Sequence, residues 1–202
     1  MNRLKQIPAL AAEPFAAACG PVRCWAKRGR MTSHSAENDV TLSEIEEALK
    51  QAASQYFRLV ILAGPPGSGK TAALQAISQT LGCQVVNLNL ELSKKMLELT
   101  RTQRPRQVER LLKEVIAGIP GEVVLLDNLE ILFDTSLEVE PLRLLQVSSR
   151  NRTIVASWSG SYKGGTLTYA EPGHAEFTQF KEVDAVVIPV SDSAAREEPS
   201  SS

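Results

Sequence analysis

The chain has 202 residues, 43% of them apolar and 22% charged, and a formal net charge of −1. That length and apolar content suit one α/β domain with tails and exclude a disordered protein. No run approaches the ~18 consecutive apolar residues of a membrane span. Three cysteines, Cys19, Cys24 and Cys83, neither build a secreted disulfide framework nor complete a zinc site, which points to a reducing cytoplasm.

The charge is unevenly spread. Residues 1–30 hold six basic groups and one acid, Glu13, for +5, and the other 172 residues hold 16 basic and 22 acidic groups, for −6. Glu13 and Pro14 interrupt the only apolar run of this head, so it is no secretory signal. Met31 opens a smoother sequence, and Met1 and Met31 both stand as starts. The expected organisation is a basic, disordered extension over 1–38, one domain over 39–190 and a polar, disordered tail over 191–202.

Thr41-Leu-Ser-Glu44 reads as a capping box, and Leu42, Ile45, Leu49 and Ala52 follow at helical spacing. Leu59-Val-Ile-Leu-Ala63 is a short β-branched run ending at Gly64, as expected of a buried parallel strand. A helix over 71–81 is closed by Gly82, and a second strand is expected over 84–90. Leu92, Met96 and Leu99 suggest a helix that breaks around Arg104-Pro105. Val108, Leu111, Leu112, Val115 and Ile116 then form a clean amphipathic stripe. A third strand over 122–127, a proline-opened helix over 141–149 and a fourth strand over 153–158 come next. The stretch 159–173 is glycine-rich, with Leu167-Thr-Tyr169 as a short strand, and 185–189 makes the last strand. This alternation predicts an α/β, three-layer core around a mostly parallel five-stranded sheet, without a C-terminal helical lid domain.

One motif carries chemistry. Gly64-Pro65-Pro66-Gly67-Ser68-Gly69-Lys70-Thr71 matches G-x-x-x-x-G-K-[ST] at every position, between a buried strand and a helix. The glycines let successive N–H groups face one concavity that surrounds phosphate oxygens. Lys70 brings a point charge for the β- and γ-phosphates, Thr71 a hard oxygen for Mg²⁺, and the helix its positive end. Asp127, at the tip of a buried strand, is the acid expected to hold the metal from the other half of the site. The cofactors so implied are ATP and Mg²⁺.

Motor ATPases usually place a glutamate after that aspartate to orient the attacking water, whereas this chain has Asn128, which cannot take a proton. Glu130 and Glu91 are the two candidate bases, each as readily a solvated carboxylate. In a sheet with an extra strand between the phosphate loop and the metal aspartate, Ser157 or Ser159 at that strand's tip would sense the γ-phosphate. Arg143, Arg150 and Arg152 gather at a helix-to-strand junction, where one would act in trans if subunits form a ring, and at least two are expected to be simple surface charges. Seven basic residues between Lys94 and Lys113 suggest either a nucleic-acid face or a solvated, charge-rich one. No aromatic residues interleave with them, which favours the second. His34 and His174 are isolated.

Several blocks together resemble the BrxF family of small P-loop proteins from type 3 BREX (bacteriophage exclusion) defence systems. They are Asn87-Leu-Asn-Leu-Glu-Leu-Ser93, Leu125-Leu-Asp-Asn-Leu-Glu-Ile-Leu-Phe133, Pro141-Leu-Arg-Leu-Leu-Gln146, Ser149-Arg-Asn-Arg-Thr153 and Leu167-Thr-Tyr-Ala-Glu-Pro-Gly-His174. The resemblance covers residues 59–189, and only the phosphate loop and Asp127 carry transferable roles. It implies a bacterial protein working beside a DNA methyltransferase, a large ATPase and an alkaline-phosphatase-like component against phage DNA replication. It also implies that Asp-Asn is usual at 127–128. The partners expected are other defence subunits, DNA through the complex and a second copy of the chain.

Three function classes compete at this stage. They are a weak or partner-stimulated ATPase within a larger machine, a nucleotide-gated switch or scaffold that barely hydrolyses, and a small-molecule kinase. The kinase is weakest. The arginines from 101 to 110 could mimic its lid, but Asp127-Asn-Leu-Glu after a strand looks more like a motor ATPase.

Overall fold

The computed structural model describes residues 42–170, 173, 174 and 176–190. The two expected disordered ends, and Thr41 of the capping box, lie outside the described residues. Helix α1 (Leu42–Ala53) buries Ile45, Leu49 and Ala52 of the predicted stripe together with Ala48, whereas Leu42 at its start is 45% exposed. Strand β1 (Leu59–Gly64) is buried at every residue, as a strand covered on both faces must be. Helix α2 (Lys70–Leu81) ends where Gly82 adopts φ 66°, its N–H bonded to the Ser78 carbonyl.

The second strand is shorter than expected. Strand β2 covers only Val85–Asn87, and helix α3 (Leu88–Met96) begins at once. The Asn87 side chain accepts the Leu90 N–H at 2.9 Å, a helix N-cap. The Asn–Leu alternation imitated a strand, whereas the buried residues Leu88, Leu92 and Met96 follow a helical period. Pro105 likewise does not end a helix but lies in the first turn of α4 (Arg104–Gly118), where its missing N–H costs nothing. The whole predicted stripe of α4 is buried.

Strand β3 (Val123–Asp127), two short 3₁₀ turns (Glu130–Phe133 and Thr135–Leu137), helix α5 (Pro141–Ser148) and strand β4 (Thr153–Ser159) follow. Then come β5 (Tyr162–Lys163), β6 (Thr166–Tyr169), β7 (Thr178–Phe180) and β8 (Val186–Pro189). Five strands form one parallel sheet in the order β2-β3-β4-β1-β8, with β4 between β1 and β3. Register pairs Gly64 with Ser159 and Asn87 with Asp127, so the strand tips share one edge.

The core has two halves, one on each sheet face. Val60, Leu62, Leu125 and Val155 pack with α1 and α2, while Leu59, Ile61, Leu126, Ala156 and Trp158 pack with α3, α4 and α5. The three layers are those expected. Unforeseen was the small antiparallel sheet β5-β6-β7, of which only β6 was anticipated. Trp158, fully buried, fixes it by donating from Nε1 to the Thr168 carbonyl at 2.8 Å and by edge contacts to Phe133, Tyr169 and Phe180.

Candidate functional site

The site is built where β1 stops. A side chain at Gly64 would collide with the Val190 carbonyl and the Ser68 hydroxyl, so the strand can turn here only as glycine. Gly67 and Gly69 hold φ of 84° and 86°, and Gly69 is the N-cap of α2. These left-handed residues open the loop into a concavity facing the helix start. Lys70 is 8% exposed and folds back over the loop, its Nζ donating to the Gly64 carbonyl at 2.8 Å and the Pro65 carbonyl at 2.5 Å. The Ser68 hydroxyl lies 3.3 Å from the same nitrogen.

The sheet brings the predicted acid to this loop. Thr71 Oγ1 donates to Asp127 Oδ2 at 2.8 Å, and Ser157 Oγ, from the intervening strand β4, donates to Asp127 Oδ1 at 2.5 Å. The backbone N–H of Asn128 also reaches Oδ1, at 3.0 Å. Asp127 is thus buried with both oxygens engaged, and Thr71 keeps its lone pairs free for a cation.

Asn128 has φ 54°, the left-handed region that asparagine tolerates and longer or branched side chains avoid. Its carbonyl accepts the Asn89 N–H at 3.0 Å, which ties the turn to the start of α3. Local backbone shape therefore accounts for asparagine where a glutamate is usual. Glu130 begins the following 3₁₀ turn, and its Oε1 accepts the Ser159 hydroxyl at 3.1 Å. Glu91 goes elsewhere, into an ion pair with Lys94 at 2.9 Å on α3.

A cleft of about 1110 Å³ opens beside the loop, lined by Gly64, Pro65 and Pro66, by Glu130 and Ser159, and by Tyr162, Tyr169 and Phe177 around the small sheet. The Tyr169 hydroxyl is pushed up to about 12, first by burial and then by the charges of Glu176 and Glu130. Sequence reasoning missed this wall. Its one local signal was Gly160, where a Cβ would run into the Thr168 carbonyl and part β4 from β6.

The remaining candidates lie apart from the loop. Arg143 and Arg150 cover Phe57 and Tyr56, and Arg152 donates to the Ile116 and Gly121 carbonyls, all at the amino-terminal edge of the parallel sheet. Lys94, Lys95, Arg110 and Lys113 pair with Glu91, Glu114 and Glu109, the pattern of a solvated charged face. The His174 ring accepts the Glu176 N–H. No helix among the described residues is long and apolar enough to cross a membrane.

A parallel sheet with its first strand delivering this loop, and an aspartate two strands away, defines a P-loop NTPase fold. Residues 60–148, a little under half of the chain, match the family model described as ATPase family associated with various cellular activities (AAA), in keeping with that fold. Solved structures similar to this chain include AMPPCP-bound DnaA from Aquifex aeolicus, at 18% identity over 72% of this chain and 43% of that one, with a TM-score of 0.39. A replication initiator DnaA bound to AMPPCP and single-stranded DNA matches at 15% identity over 77% and 47%, with a TM-score of 0.44. PCH-2 from C. elegans matches at 16% over 74% and 41%, with a TM-score of 0.40. The chain spans less than half the length of each of these proteins.

Proposed function

We propose that the chain binds ATP with Mg²⁺ at the 64–71 loop and hydrolyses it slowly until a partner completes the site, as one component of a BREX-type anti-phage system. The observation that carries the first half is the Thr71–Asp127 hydrogen bond, 2.8 Å across two elements 56 residues apart. It sets a hydroxyl and a carboxylate side by side at the foot of a phosphate-shaped loop. Both are hard oxygen donors, the set that Mg²⁺ prefers when phosphate oxygens and waters fill its other positions. Thr71 would ligate the metal, and Asp127 would hold it directly or through water. When bound, the metal neutralises charge on the β- and γ-phosphates.

The residues of the chain then divide the work. Lys70, already at the loop mouth, exchanges carbonyl partners for phosphate oxygens, and charge-assisted hydrogen bonds are the stronger kind. Glu130 accepts the proton of the attacking water, and Ser159 steadies that carboxylate. Ser157 keeps Asp127 oriented. General-base positioning is worth roughly 10²–10⁴ in rate. Glu130 is exposed and held by one hydroxyl, which supports a low rate in the isolated chain.

The defence role rests on the resemblance of residues 59–189 to the BrxF family. In that setting other subunits, DNA or a second copy of the chain would supply the missing order, and an arginine given in trans is worth about 10³–10⁵. One observation favours a second reading, a nucleotide-gated switch that barely hydrolyses. The left-handed turn after Asp127 places Asn128, whose amide can hydrogen-bond a water but cannot take its proton, where a motor ATPase has its glutamate.

Steady-state turnover of the purified chain, with and without partner subunits or DNA, separates the two. The ATPase reading expects a slow basal rate, a stimulated rate that Glu130→Gln abolishes, and unchanged ATP binding in that variant. A stimulated rate that survives Glu130→Gln but dies in Glu91→Gln would move the base to α3. Brisk hydrolysis by the lone chain would overturn the incomplete site.

A further inference from the structure

We infer that the sheet edge opposite the phosphate loop, around Tyr56, Arg143 and Arg150, is a binding site for single-stranded nucleic acid. The inference does not rest on the nucleotide reading. After α1 the chain turns sharply: the Ser54 N–H and hydroxyl both reach the Gln51 carbonyl, at 3.1 and 2.7 Å. The turn sends Phe57 into the core, 7% exposed, and leaves Tyr56 outside at 68%. The Arg58 N–H then bonds the Ser149 carbonyl at 3.2 Å, which seats this turn against the junction of α5 and β4.

That junction delivers two cations to the same rings. The Arg150 guanidinium carbon lies 5.1 Å from the Tyr56 ring centre and 5.6 Å from that of Phe57, and Arg143 lies 5.9 Å from Phe57. Among the described residues no carboxylate comes within 4.0 Å of either arginine. Two like charges are thus gathered on one aromatic pair without an acid among the described residues close enough to pair with them. Each is held by a cation–π contact that leaves guanidinium N–H groups free to fork onto an anion.

The contrast with α3 and α4 decides what kind of anion. There four of the seven cations, Lys94, Lys95, Arg110 and Lys113, pair with glutamates, and no aromatic stands among the seven. Here Arg150 lies over an exposed ring, and Arg143 over the buried ring beside it, with no carboxylate among the described residues in salt-bridge reach. Cations beside an exposed aromatic ring are the two parts of a single-strand platform, in which one base stacks while its phosphates meet the arginines. A duplex keeps its bases stacked and offers Tyr56 nothing. An acidic peptide would meet the arginines but leave the ring idle.

Fluorescence anisotropy with a labelled oligothymidylate, the same length of duplex DNA and polyglutamate as probes tests this on the full chain. Replacing both arginines (Arg143→Gln with Arg150→Gln) should weaken oligothymidylate binding at least ~10-fold and flatten its log–log salt slope by about 1.4, the value for two lost single-strand phosphate contacts. Tyr56→Ala should cost on the order of 10-fold and Tyr56→Phe about 2-fold or less, because the ring and not the hydroxyl stacks. Should the double variant fail to fold, Tyr56→Ala decides alone, at a position exposed enough to leave the core intact. Unchanged affinity in Tyr56→Ala, or polyglutamate binding as tightly as the oligonucleotide, would overturn the proposal.

Discussion

Ser157 on β4 and Thr71 on α2 hold the two oxygens of one buried carboxylate, Asp127, at 2.5 and 2.8 Å. The loop and the acid are thereby fixed to each other through the strand between them, so strand order is itself part of the site.

Removing the β4 hydroxyl should therefore loosen the acid. Ser157→Ala leaves Oδ1 only the Asn128 N–H, and a lost buried hydrogen bond of this kind costs about 1–3 kcal/mol. Calorimetric titration should find ATP affinity lowered with Mg²⁺ present and little changed with the metal chelated. An equal effect in both conditions would place Ser157 in phosphate binding instead.

Gly160 is the hinge between the parallel and antiparallel sheets. Gly160→Ala puts a methyl against the Thr168 carbonyl, a backbone atom that cannot swing away, and should cost about 1–3 kcal/mol in urea unfolding. Gly118→Ala meets open space and should be neutral or stabilising by up to ~1 kcal/mol.

The strands and helices that were legible share one property, a buried face wide enough to impose its period. The run Leu59–Gly64, buried throughout, and the α4 stripe from Val108 to Ile116 read directly. The meeting of Thr71 with Asp127 was legible too, because the glycine-rich loop and the aspartate both end buried strands of one parallel sheet. Where the buried face narrows, the pattern misled. Asn87 caps a helix by a side-chain bond that no hydropathy period encodes. The wall β5-β6-β7 is held by Trp158 and its ring contacts, and its strands are two to four residues long, too short for alternation to register. Between Glu91 and Glu130 the sequence was neutral. In the structure Glu130 meets Ser159 at the tip of β4, a contact that needs β4 beside β3, while Glu91 pairs with Lys94 on α3.

Alkaline titration probes that wall. The folded value of Tyr169, about 12, lies above the ordinary ~10 of an unfolded tyrosine, so folding favours the neutral phenol. The associated stability is whole below pH ~10 and is lost as the pH rises toward 12. Ultraviolet difference titration of Tyr169→Phe should lack the last tyrosinate step, and its unfolding free energy should depend less on pH above 10. A final step that persists in the variant would assign it to another tyrosine.

The central claim, that the loop from Gly64 to Thr71 holds a magnesium-bound triphosphate, is tested most directly by isothermal calorimetry of ATP with Mg²⁺ against the wild-type chain and Lys70→Ala. The ammonium gathered over the Gly64 and Pro65 carbonyls is the main cation available to the phosphates there. Two charge-assisted hydrogen bonds at about 1.5–3 kcal/mol each imply a loss on the order of 10²-fold or more. Saturable binding that collapses in Lys70→Ala is the predicted result. Equal ATP affinity in the two proteins would contradict it.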